Sequence, residues 1–211
     1  MNFDKIKLCV FDVDGVLVNS RLLHYPATML ALKDYGYLYT REEDENFGTI
    51  PTRQKLNLLA EQGKINKDSI DFIWDLKDEY ACELFEKNIV VNNEIRPLFK
   101  NLKENNLKIA LASNARYSFL DKVVSKLKVE EYVDLILSAQ SVTPKPDPEI
   151  YLSAMKYFNV LPENTLIFED SEVGKQAAYA SKAYVYEISS FDELTRYTFE
   201  KDETYCTSRE Y

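Results

Sequence analysis

The sequence IKLCVFDVDG, residues 6–15, is a nearly continuous apolar run that ends in two aspartates and a glycine. A strand that is buried on both faces of a sheet has this pattern, because neither face needs polar side chains. We therefore predict that Ile6–Phe11 is a buried strand, and that Asp12 and Asp14 directly follow its carboxyl end.

Similar short apolar runs recur along the chain, with helical patterns between them. One helix is predicted from apolar residues that share a face, and another from Asp147-Pro148, an N-cap followed by proline at the first helical position. This alternation predicts an α/β fold, a parallel sheet with helices on both faces. The further predicted strands are Leu107–Ala112, Leu135–Leu137, Leu166–Phe168 and Ala183–Tyr186, and the shared helical face consists of Tyr117, Leu120, Val123, Val124 and Leu127.

The alternation is interrupted between residues 18 and 93, where only helical patterns follow one another. We therefore expect two domains, an α/β core of residues 1–17 and 94–211 and an inserted all-helical domain of residues 18–93. Two connectors that lie close together permit a hinge, so the insert is a candidate lid. The helices predicted in the insert are Tyr25–Tyr35, Arg53–Gln62 and Ser69–Lys87.

Composition limits the class of protein. The chain has 211 residues, of which 45% are apolar, so it can bury a core without disulfides. Its 26 basic and 35 acidic residues give a net charge of −9, which disfavours nucleic acid and anionic lipid as partners.

The three cysteines of the chain, Cys9, Cys82 and Cys206, form no CxxC pair. No apolar run is long enough to span a membrane and we recognise no signal peptide, so a cytoplasmic protein is expected.

Polar residues follow four of the predicted strands, at the edge where open α/β sheets bind their ligands. Asp12-Val13-Asp14-Gly15 follows the first strand, and Ser113-Asn114 follows the second. Lys145 lies in the loop after the third strand, and Glu169-Asp170 follows the fourth. Each feature alone is more often structural: a turn cap, a helix N-cap, an exposed loop or a solvated turn.

Together these strand ends predict a specific kind of site. Three carboxylates in one crevice repel one another unless a cation is present, and Mg²⁺ with oxygen ligands removes that repulsion. The remaining cation, Lys145, and the hydroxyl and N–H groups around Ser113 and Asn114 are suited to a phosphate group. The combined set predicts a phosphoryl-transfer site.

These residues resemble the four signatures of the haloacid dehalogenase superfamily in order and spacing, over nearly the whole chain to about Glu187. The resemblance implies a Rossmann-like core with strand order 3-2-1-4-5 and a helical C1 cap inserted after the first signature. The subgroup that is most similar holds small-molecule phosphatases and β-phosphoglucomutase. The signatures are met by Asp12-Val13-Asp14-Gly15, Ser113, Lys145 and Glu169-Asp170.

The resemblance implies a role for each residue that handles the phosphoryl group. Asp12 is similar to the nucleophile that forms an aspartyl-phosphate, and Asp14 to the general acid that later acts as a base. Lys145 is expected to neutralise the nucleophile and the phosphoryl oxygens. The hydroxyl of Ser113 and the N–H of Asn114 are expected to hold phosphate at the N-terminus of the following helix.

The resemblance also implies a Mg²⁺ site. Asp12, the backbone carbonyl of Asp14, and Asp170 are the expected ligands, with Glu169 as a further ligand through water. The carboxyl group at Asp14 favours phosphate esters over haloacids, because alkoxide must be protonated on departure and halide need not be.

Three residues of the helical insert are candidates for substrate binding: His24, Arg53 and Lys77. The alternatives are a partly buried helix-start histidine, an exposed helix-start arginine and a lysine that extends along the edge of an apolar stripe. A histidine, an arginine and a lysine in similar cap places are also found in β-phosphoglucomutase.

We therefore expect a Mg²⁺-dependent phosphatase that hydrolyses a small phosphorylated metabolite, such as a sugar phosphate, and acts as a monomer. One alternative is a sugar phosphomutase of the β-phosphoglucomutase type. A further alternative is a catalytically silent binding protein of the same fold, although such a protein has no reason to keep Asp12, Asp14, Lys145 and Asp170. The segment 191–211 gives no functional signal beyond a short helix predicted over Phe191–Phe199.

Overall fold

Among the residues that the structure describes, five parallel strands form a single sheet in the order β3-β2-β1-β4-β5. The computed structural model describes residues 5–48, 50–89, 91–189 and 193–196. The predicted α/β fold and the strand order 3-2-1-4-5 are confirmed. The strands are β1 Leu8–Phe11, β2 Lys108–Ser113, β3 Leu135–Ser138, β4 Thr165–Glu169 and β5 Tyr184–Glu187.

Helices account for most of the remaining described residues. Those that follow β1 are α1 Arg21–Asp34, α2 Arg41–Phe47, α3 Thr52–Glu61 and α4 Ile70–Asn88. Those that alternate with the later strands are α5 Ile95–Glu104, α6 Tyr117–Leu127, α7 Glu149–Phe158, α8 Glu172–Ala180 and α9 Glu193–Arg196. Among the described residues, none of these helices combines the length and the apolar character of a membrane span.

The contacts divide the chain into two compact units, residues 1–19 with 90–211 and residues 20–89. The first unit holds the sheet with α5–α9, and the second holds α1–α4. The described residues of this second unit form helices and no sheet strand, so a helical segment follows the first strand, as predicted. The exact domain boundaries at 17/18 and 93/94 stay a prediction.

The central strand β1 is buried on both faces, which explains its continuous apolar sequence. Leu8 and Val10 belong to a core cluster with residues of α7 and α8. Because side chains alternate along a strand, Phe11 points to the opposite face, where its ring lies 4.9 Å from that of Phe99 in α5. Helices on both faces thus fix the strand that leads into Asp12.

The helical unit has a core of its own. Leu32 of α1, Leu56 and Leu59 of α3, and Ile73 of α4 form one buried cluster with their neighbours. The helix α2 was not predicted because none of its residues is buried. Its signal was the capping box: the Thr40 hydroxyl accepts from the Glu43 N–H, and the Glu43 carboxylate accepts from the Thr40 N–H.

Two predicted helix starts were wrong, that of α1 by four residues and that of α7 by one. Pro26 is typical of a helix start, but α1 begins earlier, at Arg21. The N-cap of α7 is Pro148 and not Asp147, although the Asp147 carboxylate does accept from the Glu149 N–H at 2.9 Å. Of the helix predicted over 191–199, only α9 lies within the described residues; the rest of it and Cys206 lie outside them.

Asp134 joins the start of β3 to β2 and to α5. Its carboxylate accepts from the Ile109 N–H at 2.9 Å and from Lys103 Nζ at 2.6 and 2.8 Å. Burial alone would raise the pKa of Asp134, but the hydrogen bonds from Lys103 and Ile109 outweigh burial and lower the pKa below 3.8. The ionised carboxylate therefore stabilises the fold.

Asp134→Asn is expected to lower the free energy of unfolding by about 1–3 kcal/mol at pH 7, since it weakens hydrogen bonds to a charged acceptor. A lowered pKa gives stability that is present above about pH 4 and is lost as the pH falls through the folded-state pKa. The gap between wild type and variant should therefore narrow below about pH 4. Denaturant melts at pH 7 and at low pH test this, with Asp121→Asn on the exposed side of α6 as control. A gap that is constant with pH would contradict it.

Candidate active site

Asp12 directly follows β1 and is buried at the carboxyl end of the sheet. Phe11 is in register with Leu111 of β2 and with Phe168 of β4. The Asp12 N–H continues this ladder by donating to the Phe168 carbonyl at 2.9 Å, and Asp12 is only 6% exposed. Its carboxylate therefore lies in the middle of the sheet edge where ligands bind in this fold class.

Asp14 stays at the same strand end because the chain turns back immediately after it. The Gly15 N–H donates to the Val18 carbonyl at 2.7 Å, and Asp14 forms a bridge with Val18. Gly15 has a φ of 92°, a conformation that favours glycine and explains the DxDG sequence. Asp14 is half-buried.

Lys145 links two of the strand ends through its buried ammonium group. Its Nζ lies 2.5 Å from Asp12 Oδ1 and 2.7 Å from Glu169 Oε2, and the residue is 3% exposed. The loop after β3 therefore brings its cation between the carboxylates that follow β1 and end β4. The structure therefore brings Asp12, Lys145 and Glu169 together, as predicted.

Asn114 holds the backbone of Lys145 with its side-chain amide. Its Oδ1 accepts from the Lys145 N–H at 2.9 Å, and its Nδ2 donates to the Lys145 carbonyl at 3.2 Å. The pair of hydrogen bonds ties the loop after β3 to the end of β2. This use of the Asn114 side chain was not predicted, since only its backbone N–H was assigned a role from the sequence.

Glu169, the last residue of β4, is fully buried and accepts four hydrogen bonds. Oε2 accepts from Lys145 Nζ at 2.7 Å and from the Tyr151 hydroxyl at 2.6 Å. Oε1 accepts from the Ser171 hydroxyl at 2.8 Å and from the Ser171 N–H at 3.1 Å. The carboxylate also lies against Gly174, where an added Cβ would come within 2.1 Å of Glu169 Oε1. The absence of a side chain at Gly174 is what makes room for it.

Burial and the neighbouring charges together shift the pKa values of Asp12, Lys145 and Glu169. Burial raises the pKa of Asp12 well above its usual range, and repulsion by Glu169 raises it further, against the attraction of Lys145. Burial would lower the pKa of Lys145, but Asp12 and Glu169 outweigh it and raise the pKa. The pKa of Glu169 is lowered, because Lys145 and the hydrogen bonds to its oxygens outweigh burial. Lys145 and Glu169 are therefore held in their charged forms.

The cluster fits a divalent cation. Ligand oxygens of Asp12, Glu169 and Asp170 all lie within 4.8 Å of one another. Asp12, Glu169 and Asp170 place three carboxyl groups around the ammonium of Lys145, and a bound Mg²⁺ would relieve the repulsion that raises the pKa of Asp12. Carboxylate oxygens are also the ligands that Mg²⁺ prefers. Since both Glu169 oxygens already accept two hydrogen bonds, Asp12 and Asp170 are the better candidates for direct ligation.

Ser113 is buried at the end of β2, beside β3. It is in register with Ser138, and its Oγ accepts from the Ala115 N–H at 3.1 Å. Ser113 is the last residue of β2, one residue beyond the predicted strand, and α6 begins at Tyr117. The phosphate contact assigned to Ser113 and Asn114 stays a prediction.

Arg53, predicted to contact substrate, lies in the first turn of α3 and binds within the helical unit. Its Nη2 lies 2.5 Å from Asp71 Oδ1, and its guanidinium lies 4.8 Å from the centre of the Trp74 ring. The Arg53 side chain is 50% exposed. Its contact with substrate stays a prediction.

His24 and Lys77 are both half-buried in the helical unit, in α1 and α4 respectively. The His24 carbonyl accepts from the Thr28 hydroxyl at 2.9 Å. The next residue in α4, Asp78, is only 8% exposed, and this buried acid was not predicted from the sequence. The substrate contacts assigned to His24 and Lys77 also stay predictions.

Tyr151 is the site residue that the sequence did not reveal. It lies in α7, is fully buried, and donates its hydroxyl to Glu169. Burial raises the pKa of Tyr151 well above its usual range, against the attraction of Lys145. Its only sequence signal was its place on the apolar face of α7, six residues after Lys145, and that pattern is equally typical of a core residue.

Comparison with known proteins identifies the family. Residues 9–187 match the model of the haloacid dehalogenase-like hydrolase family. A phosphorylated carbohydrates phosphatase of Thermotoga maritima is 32% identical over 170 residues, which cover 80% of this chain and 78% of that protein. The β-phosphoglucomutase of Bacillus subtilis is 25% identical over 181 residues, 82% of this chain and 78% of that protein.

A solved structure agrees with these matches. The β-phosphoglucomutase of Clostridium difficile superimposes with a TM-score of 0.73 at 25% identity, over 90% of this chain and 88% of that one. The family match runs from Cys9 in β1 to the end of β5 and includes all the strand ends that form the cluster. The chain belongs to the haloacid dehalogenase-like hydrolase family.

Proposed function

We propose that the protein is a Mg²⁺-dependent phosphatase that hydrolyses a small phosphomonoester through an aspartyl-phosphate on Asp12. The observation that carries this proposal is the buried cluster at the sheet edge, where Lys145 Nζ lies 2.5 Å from Asp12 Oδ1 and the carboxylates of Glu169 and Asp170 crowd around it. A phosphoryl group and a divalent cation make such a cluster favourable.

In the first step, a carboxylate oxygen of Asp12 attacks phosphorus, and the bond from phosphorus to the ester oxygen breaks. The carboxyl group of Asp14 gives its proton to the departing alkoxide, which leaves as an alcohol. In the second step, Asp14 takes a proton from water as the water oxygen attacks phosphorus, and the bond to Asp12 breaks. Inorganic phosphate leaves and Asp12 is restored as a carboxylate.

The remaining residues stabilise the phosphoryl group. The ammonium of Lys145 neutralises Asp12 and the phosphoryl oxygens, and its backbone is held by Asn114. The Ser113 hydroxyl and the Asn114 N–H donate to phosphoryl oxygens. Asp12, Asp170 and the Asp14 carbonyl would hold Mg²⁺, whose positive charge would help to neutralise the phosphoryl group.

The substrate proposed is a small phosphorylated metabolite of the sugar-phosphate class. A relative of this chain is named a phosphorylated carbohydrates phosphatase and another a β-phosphoglucomutase. His24, Arg53 and Lys77 of the helical unit are proposed to contact the part of the substrate beyond the phosphate.

We assign residues 18–93 as the cap domain and residues 1–17 and 94–211 as the catalytic core. We also propose that the enzyme is a monomer and acts in the cytoplasm.

The test is release of inorganic phosphate from p-nitrophenyl phosphate and a panel of metabolite phosphates. We expect turnover with Mg²⁺, a loss of at least about 100-fold with EDTA, and recovery when excess Mg²⁺ is added. Thermal melting with and without Mg²⁺ gives a second measurement, since a bound ion stabilises the folded protein. Equal rates with EDTA, or no turnover of any ester, would contradict the proposal.

The second candidate function is a phosphomutase, in which a sugar hydroxyl in place of water accepts the phosphoryl group. The observation that favours it is the 25% identity to a β-phosphoglucomutase over 82% of the chain. Incubation with β-glucose 1-phosphate and a bisphosphate activator separates the two functions. Glucose 6-phosphate in excess of inorganic phosphate would identify the mutase.

A further inference from the structure

Tyr151 contacts both members of the buried ion pair beside Asp12. Its hydroxyl donates to Glu169 Oε2 at 2.6 Å, and the same oxygen accepts from Lys145 Nζ at 2.7 Å. The centre of the Tyr151 ring lies 5.1 Å from Lys145 Nζ. A single phenol thus supports the carboxylate with its hydroxyl and the ammonium with its ring face.

The hydroxyl needs an explanation apart from core packing. The ring of Tyr151 belongs to the buried cluster that includes Leu8, Val10 and Ala154, and a phenylalanine would fill nearly the same space. A buried hydroxyl is unfavourable unless it is hydrogen-bonded, and here its acceptor is a carboxylate. The hydroxyl therefore serves the charged cluster and not the apolar core.

We propose that Tyr151 is a positioning residue, whose hydroxyl holds Glu169 Oε2 so that the ammonium of Lys145 stays directed at Asp12. This inference rests on the proposed function, because it concerns the same reaction. Tyr151 itself does not touch the reacting atoms in this scheme.

The geometry explains how the hydroxyl acts at a distance. Lys145 Nζ lies between Asp12 Oδ1 at 2.5 Å and Glu169 Oε2 at 2.7 Å, so two carboxylates compete for one ammonium. A hydrogen bond from Tyr151 occupies a lone pair of Oε2 and reduces its attraction for Lys145. Without that bond, Oε2 draws Lys145 away from Asp12, and the charge that develops on the phosphoryl oxygens is less well neutralised.

Tyr151→Phe tests this proposal because it removes only the hydroxyl. We expect kcat for p-nitrophenyl phosphate with Mg²⁺ to fall about 10-fold, with KM within about twofold of wild type. The matched control is Tyr157→Phe in the same helix, since Tyr157 is 66% exposed and its ring contacts Phe158. The control should leave kcat unchanged.

A double-mutant cycle shows whether Tyr151 acts through Glu169. In a Glu169→Gln background, adding Tyr151→Phe should change kcat by no more than about twofold, because the residue through which it acts is already altered. A full 10-fold loss in that background would overturn the proposal. Circular dichroism and thermal melting measure the folded fraction of each variant, and kcat is calculated per folded molecule.

Two further outcomes overturn the proposal. One is a Tyr151→Phe protein with wild-type kcat. The other is a protein that loses thermal stability while kcat per folded molecule is unchanged, which assigns the hydroxyl a purely structural role. Both leave the proposed function intact, because the wild-type enzyme still releases phosphate. A wild-type protein that hydrolyses no phosphate ester overturns the function and the positioning role together.

Discussion

Asp12→Asn is expected to lower kcat for phosphate esters by at least about 10⁴-fold, with the fold retained. Asparagine has nearly the same shape as aspartate but lacks the carboxylate oxygen that attacks phosphorus. The residue is 6% exposed at the end of the central strand, and its backbone N–H donates to Phe168, which the substitution leaves in place. The loss should therefore be chemical and not structural.

The effect on stability is expected to be small because two changes oppose each other. Asparagine removes the repulsion of Asp12 by Glu169 and Asp170, and it also removes the charge that pairs with Lys145 at 2.5 Å. Thermal melting and steady-state phosphate release, both with Mg²⁺, check the two expectations. Asp121→Asn, at an exposed position of α6, is the matched control. Residual activity of more than about 1% of wild type would contradict Asp12 as the nucleophile.

The sheet was predictable because buried parallel strands leave a clear pattern. All five strands were predicted to within two residues at each end, since their sequences are short apolar runs followed by polar residues. The convergence of Asp12, Lys145 and Glu169 followed from the same pattern, because the carboxyl ends of parallel strands share an edge.

What the sequence did not reveal depends on contacts between distant segments. In the sequence, Tyr151 has the pattern of an ordinary core aromatic residue on the buried face of a helix. The acceptor of its hydroxyl, Glu169, lies 18 residues further along the chain. The Asn114 amide binds a backbone 31 residues away. Ser113 was predicted to follow the second strand, and its pairing with Ser138 of β3 extends that strand by one residue to include it. Local patterns carry no information about such partners.

Gly174→Ala is expected to lower kcat about 100-fold, since displacement of a site group by about 1 Å has effects of that size. An added Cβ would lie 2.1 Å from both Cδ and Oε1 of Glu169, so the carboxylate must move. An exposed glutamate side chain would avoid the added Cβ by a change of rotamer at little cost. Here four hydrogen bonds hold it, and any shift disturbs Lys145 and Tyr151 together.

The stability of this variant distinguishes a clash from a simple helix effect. In a helix, alanine is normally more favourable than glycine by about 1 kcal/mol, so Gly174→Ala in α8 would be stabilising if the space were open. The clash should reverse the sign, to a net loss of about 1–3 kcal/mol in the free energy of unfolding. Gly63→Ala is the control for glycine replacement in open space, where a φ of 71° gives strain but no atom lies within 4 Å of the added Cβ. The Gly63→Ala protein should be less stable than wild type, with kcat unchanged. A Gly174→Ala enzyme with wild-type kcat would contradict the prediction, because it would show that the exact position of Glu169 does not matter to the reaction.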